Sequence, residues 1–95
     1  MLYTFSQSQY DLAEMTKIWQ NLTEQDVVLF WQNGVNFLVK NLTHFRPNLC
    51  QVCVLKNDVE ARGFMPYFLK DKAIRIVTMD ECVTLTEHYY PQLAF

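Results

Sequence analysis

The chain has 95 residues, 51% of them apolar and 15% aromatic against 19% charged, with a formal net charge of −2. That length allows one domain, residues 1–95, and a domain so small cannot enclose this many large apolar side chains, so part of the excess is expected against a partner in an oligomer. Lysine and arginine are scattered, with Lys70 and Lys72 the nearest thing to a cluster; the basic stripe that displaces counterions from phosphates is missing, and direct contact with nucleic acid is not expected.

Strand and helix patterns alternate along the chain, which predicts a parallel sheet flanked by helices, an α/β fold. Leu2 to Phe5 reads as a short first strand. A helix from about Tyr10 to Leu22 follows, with Leu12, Met15, Ile18, Trp19 and Leu22 on one apolar face. The uninterrupted apolar run Val27 to Trp31 suits a strand covered on both sides. Gly34 breaks the pattern and a short helix is predicted near Val35 to Lys40, with Val35, Leu38 and Val39 inward. Pro47 marks the next boundary.

Leu49 to Lys56 reads as the third strand, and "NDVEARG" after it as a helix of five or six residues. Asn57 or Asp58 is expected to cap its start, with Asn57 and Glu60 spaced as a capping box, and Gly63 to end it in a left-handed turn. "FMPYFL", Phe64 to Leu69, reads as irregular. Ala73 to Thr78 reads as a fourth strand, and the last helix is expected from about Asp80 to Tyr90, before Pro91. No element is assigned to the tail "PQLAF".

Few residues suggest chemistry. Cys50 and Cys53 spell C-x-x-C, but within a strand rather than at the start of a helix. Positions three apart on a strand point to opposite faces, so the two sulfurs are not expected to meet, and apolar neighbours should keep them inert. No second C-x-x-C and no ordered histidine pair accompanies them, so no metal site is expected. Cys82 lies near Asp80 and Glu81, which disfavour a thiolate, although a helix N-terminus favours one, and structural burial is expected. His44 and His88 stand alone, and no pair of carboxylates has an acid–base spacing.

A single glycine near "VLKNDVEARGF" does not make a phosphate cradle, and no cofactor is expected. The N-terminal residues lack the basic start and apolar core of a signal peptide, and no apolar run approaches a membrane span. With an odd number of cysteines, three, the expected location is the reducing cytoplasm. The apolar residues in irregular or terminal positions, Phe64, Met65, Tyr67, Phe68, Tyr90, Leu93 and Phe95, are the candidate interface.

Four stretches, "MLYTFSQS", "DVVLFWQNGV", "VLKNDVEARG" and "LTEHYYPQLAF", together resemble, in order and over nearly the whole length, the DsrH-type (TusB-like) chains of the DsrE/F/H superfamily. The resemblance implies a three-layer α/β/α domain around a mainly parallel sheet of four to five strands. It implies a heterohexamer of two heterotrimers with TusC-like and TusD-like subunits. Persulfide sulfur would enter that complex from a TusA-like donor and leave through a TusE-like acceptor, toward 2-thiouridine at the tRNA wobble position.

In such complexes the sulfur-bearing cysteine belongs to the TusD-like subunit, so the resemblance implies a non-catalytic role and assigns no catalytic residue here. The alternative is a thiol-based carrier using Cys50, Cys53 or Cys82. Two departures stand out: Asn33 replaces an aspartate common in the "Q-D-G" turn of these chains, and Ile18 stands where some carry a cysteine in the first helix.

Overall fold

The computed structural model describes residues 1–45 and 50–95. Among these, five strands form one sheet: β1 (Leu2–Phe5), β2 (Val27–Phe30), β3 (Gln51–Leu55), β4 (Ile74–Val77) and β5 (Gln92–Ala94). The order is β4-β3-β2-β1-β5 and every pairing is parallel. The helices are α1 (Leu12–Gln20), α2 (Gly34–Lys40), α3 (Lys56–Ala61), α4 (Met65–Leu69) and α5 (Met79–His88).

Connection handedness explains the layers. From β1 to β4 the chain steps across the sheet in one direction, and right-handed crossovers place α1 to α4 on one face. The return from β4 to β5 runs the other way and puts α5 on the opposite face. The side chains agree: Met15, Val35, Leu38, Val59 and Phe68 of the first four helices pack with Phe5, Val28, Phe30, Val52 and Val54. Cys82 and Leu85 of α5 pack with Leu2, Val27, Leu29, Cys53, Leu55 and Val77. This is the expected three-layer α/β fold, and helices on both sides explain why β2 is buried at every residue.

The larger core is aromatic. Phe5 stacks on Phe30 at 5.1 Å, and Tyr10 meets Phe5 and Phe37 edge-on at 5.5 and 5.2 Å. Gly34 is where α2 crosses β1: a Cβ there would lie 1.9 Å from the Phe5 carbonyl oxygen, so no side chain fits.

Several boundaries move. α1 is shorter than the Tyr10–Leu22 pattern because the Asp11 carboxylate accepts the Glu14 N–H and caps it. β2 stops at Phe30; the Trp31 N–H still donates to the Phe5 carbonyl at 3.1 Å, but the chain turns at Gln32. Lys56, expected to end β3, begins α3, while Pro47 and Leu49 lie outside the described residues. The last helix begins at Met79 and ends at His88 rather than running to Tyr90.

Two assignments are corrected outright. "FMPYFL" contains a helix, α4, with Pro66 in its first turn, where a missing N–H removes no helical hydrogen bond. The tail is a strand, β5, paired with β1.

Candidate functional site

The thiols of Cys50, Cys53 and Cys82 are the strong nucleophiles of the chain. Cys50 joins the core under α1 to α4, whereas Cys53 joins the core under α5, so the C-x-x-C pair is split between the two faces. All three cysteines are free and buried. Burial pushes the Cys53 thiol up to about 12, against a smaller opposing pull from the Arg75 guanidinium. Burial also raises Cys50, with a weaker contribution from the Asp26 charge and a backbone hydrogen bond acting the other way. Burial alone raises Cys82. None of these environments favours a thiolate at neutral pH.

The described residues contain no group of three His, Cys, Asp or Glu side chains arranged to hold a metal. His88 Nδ1 lies 2.9 Å from the Thr84 carbonyl on its own helix, and His44 is an exposed neighbour of Phe45. Ile18 packs against the core from α1.

The polar constellation lies at the carboxyl end of β2 and β3, where α/β proteins usually place their sites. Gln32 has a positive φ of 52°, uncommon for a residue with a side chain. Its N–H donates to Asp58 Oδ2 at 2.7 Å. Asp58 Oδ1 lies 3.4 Å from Arg62 Nη1, and Arg62 Nη2 donates to Asn33 Oδ1 at 2.8 Å. Every charged group in the cluster is thus engaged within it. The cluster ties α3 to the turn after β2 and presents no free nucleophile, base or anion cradle.

That arrangement corrects the expected cap. The N-cap position of α3 is Leu55, two residues before Asn57 and three before Asp58, the expected caps, and it makes no side-chain cap. Asp58 therefore falls inside the first turn, and its carboxylate accepts from Gln32 and pairs with Arg62 instead of capping the helix start. Gly63 does leave the helix with φ 70°, as its position predicts. The true capping box belongs to α5: Thr78 accepts the Glu81 N–H at 3.2 Å, and Glu81 accepts the Thr78 N–H at 3.0 Å. Glu81 also accepts from Arg75 at 2.6 Å, and these hydrogen bonds, the one from the Thr78 backbone first, lower its pKa.

The candidate interface residues differ in exposure. Phe64 and Met65 are half-buried against the larger core, and Phe68 faces inward with 2% exposed, so it presents nothing to a partner. Tyr67 is 54% exposed and Tyr90 74%. Leu93 and Phe95, on and beside β5, are 40% and 38% exposed. Sequence reasoning missed Leu12, Leu69, Met79 and Val83, which are also exposed. For Met79 and Val83 a signal was present: their four-residue spacing puts both on one face of α5.

A shallow pocket of about 310 Å³ lies between α1 and α2, lined by Ser8, Tyr10, Leu12, Phe37 and Lys40 among others. It is at the small end of ligand sites. Among the described residues no helix is long and apolar enough to cross a membrane.

Comparison with known proteins accords with this geometry. The chain is 36% identical over 94 residues to an uncharacterized protein of Haemophilus influenzae, covering 99% of each. It is 34% identical over 100 residues to Protein TusB of Yersinia enterocolitica, covering the whole of both. Residues 7–92 match the family described as DsrH like protein, and the chain belongs to that DsrH-like family.

Proposed function

We propose that this chain is a non-catalytic subunit of a TusBCD-like sulfur-relay complex, which passes persulfide sulfur toward 2-thiouridine formation at the tRNA wobble position. Full-length similarity to a protein named TusB supports the pathway. The observation that carries the non-catalytic role is the state of the thiols. All three are buried and raised in pKa, split between two cores, with none at a helix start in an electropositive setting. A sulfur carrier needs an accessible thiolate, so a carrier role for Cys50, Cys53 or Cys82 lacks the chemistry it would need.

The partners are TusC-like and TusD-like subunits in a cytoplasmic heterohexamer, a dimer of heterotrimers. The complex takes sulfur from a TusA-like donor and hands it to a TusE-like acceptor, and this chain makes no direct contact with nucleic acid or membrane. Exposed Tyr67, Tyr90, Leu93 and Phe95 support an interface, with Phe64 and Met65 at its margin. Size measured by light scattering, alone and after co-expression with TusC-like and TusD-like chains, tests the reading. Recovery in one larger complex is expected; a well-behaved monomer that ignores both chains would overturn it.

A further inference from the structure

We propose that β5 is a template for an added strand, and that an extended, uncharged segment of a partner subunit pairs with its open edge. The proposal rests on the subunit reading above and specifies the contact.

The phase of the β1–β5 pairing decides which backbone groups are free. Leu2 N–H donates to the Pro91 carbonyl at 3.1 Å, Phe95 N–H to Thr4 at 2.8 Å, and Ser6 N–H to Phe95 at 3.2 Å. Residues 91, 93 and 95 thus turn their main-chain groups toward β1. Hydrogen-bonding direction alternates along a strand, so Gln92 and Ala94 point their N–H and C=O groups outward. β5 ends the sheet on this side and all three of its residues are exposed.

The two edges of the sheet differ. β4 carries Arg75, tied to Glu81, and follows the charged run Lys70, Asp71, Lys72, the usual protection against unwanted pairing. From Tyr89 to Phe95 no side chain is charged. The β5 edge is also firmly held. The Phe95 ring stacks on Phe5 at 5.1 Å and on Tyr3 at 6.4 Å. Its carbonyl also accepts from the Tyr10 hydroxyl at 2.9 Å and from Ser6 Oγ at 3.2 Å, while Gln92 Nε2 donates to the Thr86 carbonyl at 3.1 Å. Little ordering remains to be lost when a partner strand arrives.

Backbone groups at strand spacing select another strand whatever its side chains, and the flanking residues select its class. Here those are the exposed Tyr90 and half-exposed Leu93, which suit an apolar segment without charge. A second copy of this chain offers only the same three-residue edge, and symmetric pairing cannot lengthen it. That falls well short of the roughly 800 Å² per partner of a standard interface. A different chain can continue past both ends.

Amide hydrogen exchange on the chain alone and in complex with co-expressed TusC-like and TusD-like subunits tests this. The Gln92 and Ala94 amides should exchange freely alone and at least about tenfold more slowly in the complex. Ala94→Pro removes only an outward N–H and spares the bonds to β1, so it should weaken assembly by roughly five- to tenfold with an unchanged circular dichroism spectrum. Unchanged exchange at both amides inside a complex that does form overturns the strand inference and leaves the subunit reading standing. Failure to form any complex overturns both. A dimer of the isolated chain that Ala94→Pro abolishes assigns the edge to a second copy and overturns the partner assignment.

Discussion

The carboxylate of Asp58 accepts the main-chain N–H of Gln32 at 2.7 Å, joining the first turn of α3 to the strained turn after β2. The bond holds a residue with φ 52° in place, and Arg62 closes the cluster by bridging Asp58 and Asn33. Asp58→Ala should therefore destabilise the protein by about 1–2 kcal/mol in urea unfolding, below the range for a fully buried charged hydrogen bond because the cluster is partly exposed. Gln32→Gly should act oppositely and gain about 0.5–1 kcal/mol, since glycine adopts positive φ without penalty. A neutral Asp58→Ala would mean the cluster is not the tie between these elements.

Gly34→Ala should be among the most damaging small substitutions in the chain. The added Cβ would lie 1.9 Å from the Phe5 carbonyl oxygen, a backbone atom fixed in the central sheet. A loss of about 3 kcal/mol or more, or failure to fold, is expected from overpacking against backbone. Gly63→Ala meets no neighbouring atom and should cost only about 1 kcal/mol for its left-handed φ. Thermal unfolding of the pair separates contact from conformation.

The contrast between those glycines shows what could be read in advance. Gly63 was legible because a helix-terminating glycine is a local signal. Gly34 registered as a break, but its real constraint is the distant Phe5 carbonyl. Cys50, expected within the third strand, lies just before β3, yet it separates from Cys53 onto the other core as expected. β2 was legible from its continuous apolar run and β4 from alternation. β5 was not, because "QLA" becomes a strand only through pairing with β1 and the stacking of Phe95 on Phe5. The Asp58 role was hidden for the same reason: a carboxylate near a helix start reads as a cap unless the facing Gln32 N–H is known. The candidate interface mixed surface with core, since Phe68 and Tyr67 are adjacent in sequence yet face opposite ways.

The buried thiols make stability depend on alkaline pH. Cys53 rises in the fold from 9.0 to about 12, so the folded state holds a proton that the unfolded state has released. The stability contribution is unaffected below pH 9 and falls as pH rises from about 9 toward 12. Urea midpoints between pH 8 and 11 should decline, and Cys53→Ala should flatten that part of the slope. In the native protein at pH 7.5, all three thiols should alkylate far more slowly than free cysteine, and at the free rate once unfolded.

Glu81 gives the acidic counterpart. Its folded pKa is lowered by the Thr78 and Arg75 hydrogen bonds, so its contribution is present above the usual carboxylate value of 4.5 and lost as pH falls through the lowered one. Glu81→Gln should remove that part of the acid dependence. Thr78→Ala, which deletes the other half of the capping box, should cost about 1 kcal/mol at neutral pH.

The most direct measurement is mass spectrometry of the assembled relay, quenched with an alkylating reagent while sulfur is passing through it. Persulfide is predicted on partner subunits, with Cys50, Cys53 and Cys82 of this chain unmodified and their Ser variants still supporting transfer wherever they fold. A persulfide on any of the three, with transfer abolished by its replacement in a folded complex, would contradict the account.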